Sequence, residues 1–161
     1  MEHVKGNVTY LPTTADLDYM DYWAVDLTAI TVGNLTMQFE PELACLVDTG
    51  TTLVYIPQQA IQEVFRDIRG LIQDDAGQYV VPCDGQYLPS ITFTIAGHDF
   101  ALDPQDYLIK DGALASSSEG CYTYLQESPP FAGAILGYGF LQRYISVYDD
   151  ENKRIGFASR L

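Results

Sequence analysis

An all-β domain, mainly antiparallel and carrying one main helix, is the fold class this sequence predicts. Three observations lead there. Short apolar stretches rich in Val, Ile, Thr, Tyr and Phe recur along the chain, separated by Gly, Pro, Asn and Asp. Some of them, such as Ser90-Ile91-Thr92-Phe93-Thr94-Ile95, alternate polar and apolar residues with the period of two that a half-buried strand needs. One segment alone, opened by Pro57, switches to helical spacing. With 161 residues the chain is long enough for one well-buried domain over 1–161 and short for two.

Taken in order, Val8 to Leu11 reads as a short strand, and Thr13 to Asp21 as an acidic, turn-prone stretch. Tyr22 to Val32 alternates well enough for a long strand, which Gly33-Asn34 turns into Leu35 to Phe39 as a hairpin. Ala44 to Val47 and Leu53 to Ile56 are two further strands around an acidic turn. The spacing of Ile61, Val64, Phe65, Ile68, Leu71 and Ile72 predicts an amphipathic helix over about 58–72, with Pro57 near its start and Gly70 near its end. Its apolar face is read as core. Strands return at Gln78 to Pro82, Ser90 to Ile95 and Asp99 to Leu102, and Pro104 to Leu108 reads as a helical turn. Gly112 to Gly120 is a small, polar surface loop, Cys121 to Leu125 a strand, and Ser128-Pro129-Pro130-Phe131 a stiff loop. Tyr144 to Tyr148 and Arg154 to Ala158 make a final hairpin.

Composition narrows the function classes. The chain has 22 acids against 8 bases, a net charge of −14, which disfavours charge-driven binding to nucleic acid or to an anionic membrane. No apolar run approaches the length of a membrane span. Met1-Glu2-His3-Val4-Lys5 has no signal-peptide pattern, so a secretory origin would make this chain a mature piece. Asn7-Val8-Thr9 and Asn34-Leu35-Thr36 permit N-glycosylation in such a compartment. With three cysteines, no Cys-x-x-Cys spacing and only His3 and His98 as imidazoles, neither a metal site nor a cofactor is expected.

The stretch that carries chemistry is Leu46-Val47-Asp48-Thr49-Gly50-Thr51-Thr52-Leu53-Val54. A strand delivers a carboxylate onto a tight turn, and a second strand leads away. Gly50 supplies backbone freedom and room beside the acid; Thr49, Thr51 and Thr52 bring hydroxyls that can donate to it. In isolation Asp-Thr-Gly is an ordinary β-turn. Its setting changes that reading, because Ala134-Ile135-Leu136-Gly137 and then Arg143-Tyr144, Ser146-Val147-Tyr148-Asp149 and Arg154-Ile155-Gly156-Phe157-Ala158 follow in the same chain.

Together these motifs resemble the C-terminal lobe of the pepsin-like aspartic proteases, from about Gly6 to Ala158. The resemblance implies a single lobe of that fold, with Asp48 as the catalytic carboxylate. Gly50, Thr51, Thr52 and Tyr22 are then substrate-binding, Thr49 ties the loop to its counterpart, and Ile135, Leu136 and Gly137 support the loop from below. Tyr22 has a plainer alternative as a strand aromatic packed between sheets. By the same resemblance Tyr22 lies near the leaving-group side of the cleft, and Pro129-Pro130 falls where the family borders that same side. Cys83 and Cys121 sit where the resembled lobe carries a disulfide, leaving Cys45 as a small buried core residue. One departure is Tyr138, which stands where the family usually has an acid.

Carboxylate hydrolysis of a peptide needs two acids facing one water, and this chain has one Asp-Thr-Gly. Asp26, Asp84, Asp111 and Asp149 lie in alternating or turn settings where acids are ordinary. The resemblance therefore implies that the partner acid comes from an N-terminal lobe, with a polypeptide as substrate and a secreted, vacuolar or lysosomal location. Two alternatives stand beside it: a second copy of this chain could supply the mate, or the chain could be a non-catalytic peptide-binding or inhibitory relative.

Overall fold

The computed structural model describes residues 4–110, 116–117, 120–130 and 132–160. Val4–Pro12 forms β1, and after a 3-10 turn at Leu17–Tyr19 the chain enters β2 (Ala24–Val32) and β3 (Leu35–Val47). β4 (Val54–Ile56) leads into α1 (Gln58–Phe65), followed by β5 (Ile72–Gln73) and β6 (Tyr79–Val81). The hairpin of β7 (Ile91–Ile95) and β8 (His98–Leu102) precedes a short α2 (Pro104–Tyr107). Then come β9 (Ser116–Ser117), β10 (Gly120–Tyr122), β11 (Leu125–Glu127) and β12 (Ala134–Leu136). The short α3 (Tyr138–Leu141) opens the closing hairpin of β13 (Tyr144–Asp149) and β14 (Arg154–Arg160).

These strands form three sheets. Seven strands in the order β11-β4-β12-β3-β2-β7-β8 make the main one, β5-β6-β10-β9 a second, and β1-β14-β13 a third. The pairing is antiparallel except where β12 meets β3 and β11 meets β4. The fold is thus mainly antiparallel β with one main helix, as expected. The helices among the described residues are too short and polar to cross a membrane.

Several boundaries differ from expectation, each for a physical reason. α1 stops at Phe65 rather than near Ile72. The Arg66 N–H closes onto the Glu63 carbonyl in a tighter turn, and Gly70 at φ +78° swings the chain into β5. Ile68 stays buried past the helix end, so the apolar periodicity marks core contact rather than continued helix. β2 begins at Ala24, which leaves Tyr22 outside the strand. The two strands expected at Leu35 to Phe39 and Ala44 to Val47 are the ends of one β3. Its register with β2 shifts between Leu27 and Ala29, where Pro41 has no N–H to contribute. Cys121 to Leu125 is split between β10 and β11. The surface loop expected at Gly112 to Gly120 lies largely outside the described residues, as does Phe131.

Phe140 of α3 joins the sheets. Its ring meets Phe93 of β7 edge-on at 5.7 Å, stacks on Tyr144 of β13 at 4.8 Å and meets Phe157 of β14 at 5.4 Å. Each such pair adds about 0.5–1.5 kcal/mol beyond the area it buries. At the closing hairpin, Arg154 bonds Asp149 at 2.7 Å and lies over the Tyr10 ring at 4.0 Å, tying β1 to the turn. The Asn152 amide and then the Arg154 guanidinium hold the Asp149 carboxyl below its usual range.

Cys83 and Cys121 are disulfide-bonded, bridging a sequence separation of 38 and anchoring the loop after β6 to β10. Replacing both by alanine is expected to lower unfolding free energy by about 3 kcal/mol, since the cross-link restricts the unfolded chain. A urea titration reads this as a lower midpoint. An unchanged midpoint would show that the bridge adds nothing. Cys45 is fully buried on β3, and burial pushes its thiol up to about 12, so it is an inert packing residue.

Candidate active site

Asp48 is placed by three strands. β3 ends at Val47, whose N–H donates to the Trp23 carbonyl at 2.7 Å beside the start of β2. The Asp48 N–H turns the other way and donates to the Leu136 carbonyl of β12 at 3.2 Å. β12 lies between the two arms of the acidic turn: Leu136 pairs with Val47 on one side and Val54 on the other. Strands β3 and β4, joined by the turn, therefore pair with β12 rather than with one another. Fully buried Leu136 and half-buried Ile135 hold this wedge in place.

Within the turn, both carboxylate oxygens of Asp48 are engaged locally. Gly50 N–H donates to Oδ1 at 2.9 Å and the Thr51 hydroxyl to Oδ2 at 2.6 Å. The Thr51 N–H closes the turn onto the Asp48 carbonyl at 3.3 Å. A carboxylate offers about four acceptor positions, so these two donors leave others open. Asp48 is also exposed, with Thr49 and Gly50 beside it. The acid is thus held in orientation by its own loop while one side remains open to solvent. No hydrogen bond or ion pair joins it to a second acid among the described residues.

Two glycines set the spacing. A Cβ on Gly50 would stand 3.3 Å from Asp48 Oδ1, inside ordinary contact distance. A Cβ on Gly137 would overlap the backbone carbonyl oxygens of Thr51 and Leu53. Without one, the start of α3 approaches closely, and two backbone clamps form. Tyr138 N–H donates to the Thr51 carbonyl at 2.7 Å and Gly139 N–H to the Thr52 carbonyl at 3.0 Å. Tyr138 makes its clamp through the backbone, so the residue type there is free of the loop. Its exposed ring sits edge-on to Tyr124 at 5.8 Å.

The structure brings Asp48, Gly50 and Thr51 into direct contact, with Leu136, Gly137 and Thr52 bonded or packed against them. Thr49 is exposed and makes none of the loop's internal hydrogen bonds. Tyr22 is not a packed strand aromatic: it is 61% exposed, in a bend whose N–H bonds the Tyr19 carbonyl at 3.0 Å. It lines a concavity of about 300 Å³ with Met20, Trp23, Asp150 and Lys153, separate from the contacts of Asp48. Beside Thr51 opens another concavity of about 490 Å³, lined by Leu53, Tyr55, Gln126, Pro129 and Ile135 among others. Pro129 lines this concavity, while Tyr22 lines the other. Tyr55 is an addition, although its spacing of two from Leu53, just before β4, is a sequence signal that both face the same side. Gln126 is brought in by the parallel pairing of β11 with β4, which leaves no local trace in the sequence.

The family model for eukaryotic aspartyl proteases matches residues 1–160. Gastricsin from Callithrix jacchus is 36% identical over 157 residues, covering 96% of this chain and 39% of the relative. Vacuolar protease A from Aspergillus fumigatus is 36% identical over 160 residues, covering 97% of this chain and 37% of the relative. Gastricsin from Homo sapiens is 35% identical over 157 residues, with 96% and 39% covered. The chain thus spans about two-fifths of the length of the curated relatives it matches.

Proposed function

The chain belongs to the eukaryotic aspartyl protease family, and from that premise we propose that it is the C-terminal lobe of an aspartic endopeptidase, contributing Asp48 as one of two catalytic carboxylates. The observation that carries this reading is the exposed Asp48, oriented by Gly50 and Thr51 yet open on one side. Two close carboxylates cannot both ionise, so they share a proton. The charged member takes a proton from water as that water attacks the peptide carbonyl, while the protonated member donates a hydrogen bond to the carbonyl oxygen.

The mate is an acid of an N-terminal lobe. Matching two-fifths of the relatives' length leaves room in such proteins for a second lobe of this size. Gly50 and Thr51 border the water and the substrate backbone. An extended polypeptide lies across the turn, and the concavity beside Thr51 receives one of its side chains. Thr49, outside the loop's own hydrogen bonds, contacts the opposing loop. Tyr22 shapes the rim. The disulfide and a relative named for the vacuole support passage through an oxidising route to an acidic compartment.

Mixing the chain with the remainder of its protein tests this. Cleavage of a denatured protein in acid is expected to appear on mixing and to vanish with Asp48→Ala. Persistence in that variant overturns the role of Asp48. The single Asp-Thr-Gly motif also suits a symmetric pair of identical chains. In that case the chain alone would cleave, at a rate rising with the square of its concentration.

A further inference from the structure

The end of the main sheet away from Asp48 carries a built feature that hydrolysis does not use. β2 turns into β3 through Gly33 and Asn34, with Val32 paired to Leu35 across the turn. Gly33 sits at φ +57° in the first turn position, where a tight hairpin calls for glycine. Asn34 is exposed at the tip and opens the sequence Asn34-Leu35-Thr36. The Thr36 hydroxyl bonds that of Thr31 across the strands at 2.9 Å.

Asn34 also lines a concavity of about 450 Å³ with Leu35, Arg66, Tyr87 and Pro89. Leu35 is 46% exposed and Tyr87 69% exposed. Tyr87 lies at φ +70°, unusual for a bulky residue. Its backbone is set by the Asp84 carboxylate accepting the Gln86 N–H and by the Gly85 carbonyl accepting the Leu88 N–H. Core packing gains nothing from an outward tyrosine ring, and strain of this kind points to use.

We propose that Asn34 is an N-glycosylation site whose first sugar packs over the Tyr87 ring. In the transfer, Asn34 Nδ2 bonds to the anomeric carbon of an oligosaccharide carried on a lipid diphosphate. The carbon–oxygen bond to the diphosphate breaks, the lipid diphosphate leaves and the amide loses one proton. The apolar face of the sugar then covers Tyr87 and Leu35, and Arg66 and Glu63 at the rim meet its hydroxyls. β2 separates the turn from the Val47–Asp48 end by nine residues, roughly 30 Å at strand rise. A glycan there leaves the cleft open. The inference rests on the proposed secretory route only for the encounter with the transferase.

The test uses the full protein secreted from a eukaryotic host, with Thr9→Ala removing the sequon at Asn7. The Asn34 peptide is expected to carry a glycan by mass spectrometry, to lose it in Asn34→Gln and to keep it in Thr36→Ser. Enzymatic deglycosylation is expected to lower the melting temperature by roughly 2–4 °C, a shift absent in Tyr87→Ala, which stays glycosylated. An unmodified Asn34 in protein recovered from the medium overturns the site. An equal melting shift with and without Tyr87 overturns the packing. Peptide cleavage by the same samples reads the proposed catalytic role separately.

Discussion

Gly137→Ala is expected to destabilise the lobe by roughly 3 kcal/mol or more, an effect at the high end for a single added methyl. The reason is the identity of the atoms in the way. The new Cβ meets the carbonyl oxygens of Thr51 and Leu53, which belong to backbone and have no rotamer to adopt. Relief requires α3 to withdraw from the turn, which stretches the Tyr138–Thr51 and Gly139–Thr52 hydrogen bonds. Each contributes about 1 kcal/mol. The loss then reaches Asp48, because the withdrawn segment carries Leu136, whose carbonyl holds the Asp48 N–H. Gly97→Ala supplies the comparison: it sits at a demanding φ of +78°, unlike Gly137 at −88°, but has open space around its Cβ position. It should cost about 1–2 kcal/mol from backbone conformation alone. Urea midpoints of the two variants separate close approach from backbone strain. A Gly137→Ala protein as stable as Gly97→Ala would show that the turn does not depend on that approach.

What can be read from the sequence is local. The turn holding Asp48 is written in nine consecutive residues, and its internal hydrogen bonds run no further than Thr51. Strand β7 follows from alternation, and β8 from its place after the Ala96-Gly97-His98 turn. Hairpin β2–β3 follows from Gly33-Asn34, although its second arm is one long strand rather than two. What stays hidden is non-local. The wedge of β12 between β3 and β4 joins residues roughly 80–90 positions apart in sequence, parallel to β3 and antiparallel to β4, through pairings that no turn announces. Tyr55 and Gln126 share a concavity for the same reason. The helix ends earlier than its spacing predicts because Ile68 and Leu71 keep pointing inward after α1 has stopped. Apolar spacing reports which side faces the core, and here that side outlasts the helix.

The largest effect expected on function belongs to Asp48→Asn. Asparagine is nearly isosteric, and its side-chain oxygen can still accept the Gly50 N–H that Oδ1 accepts in the native turn. The Thr51 hydroxyl, now opposite an amide NH₂, reverses to accept. The loop therefore keeps its shape. What the substitution removes is the capacity to take a proton from water or to hold one for the substrate carbonyl. A positioned acid or base contributes about 10²–10⁴ in rate, and a dyad that works as a unit fails with either member. A fall in kcat of about 10⁴-fold follows for the two-lobe protein, with substrate binding little changed.

That rate is the measurement on which the account stands most directly: kcat of the two-lobe protein in acid, native against Asp48→Asn, with urea midpoints confirming equal folding. The predicted result is hydrolysis reduced to about 10⁻⁴ of the native rate in a protein of native stability. Cleavage within about tenfold of native by the folded Asp48→Asn variant would contradict it.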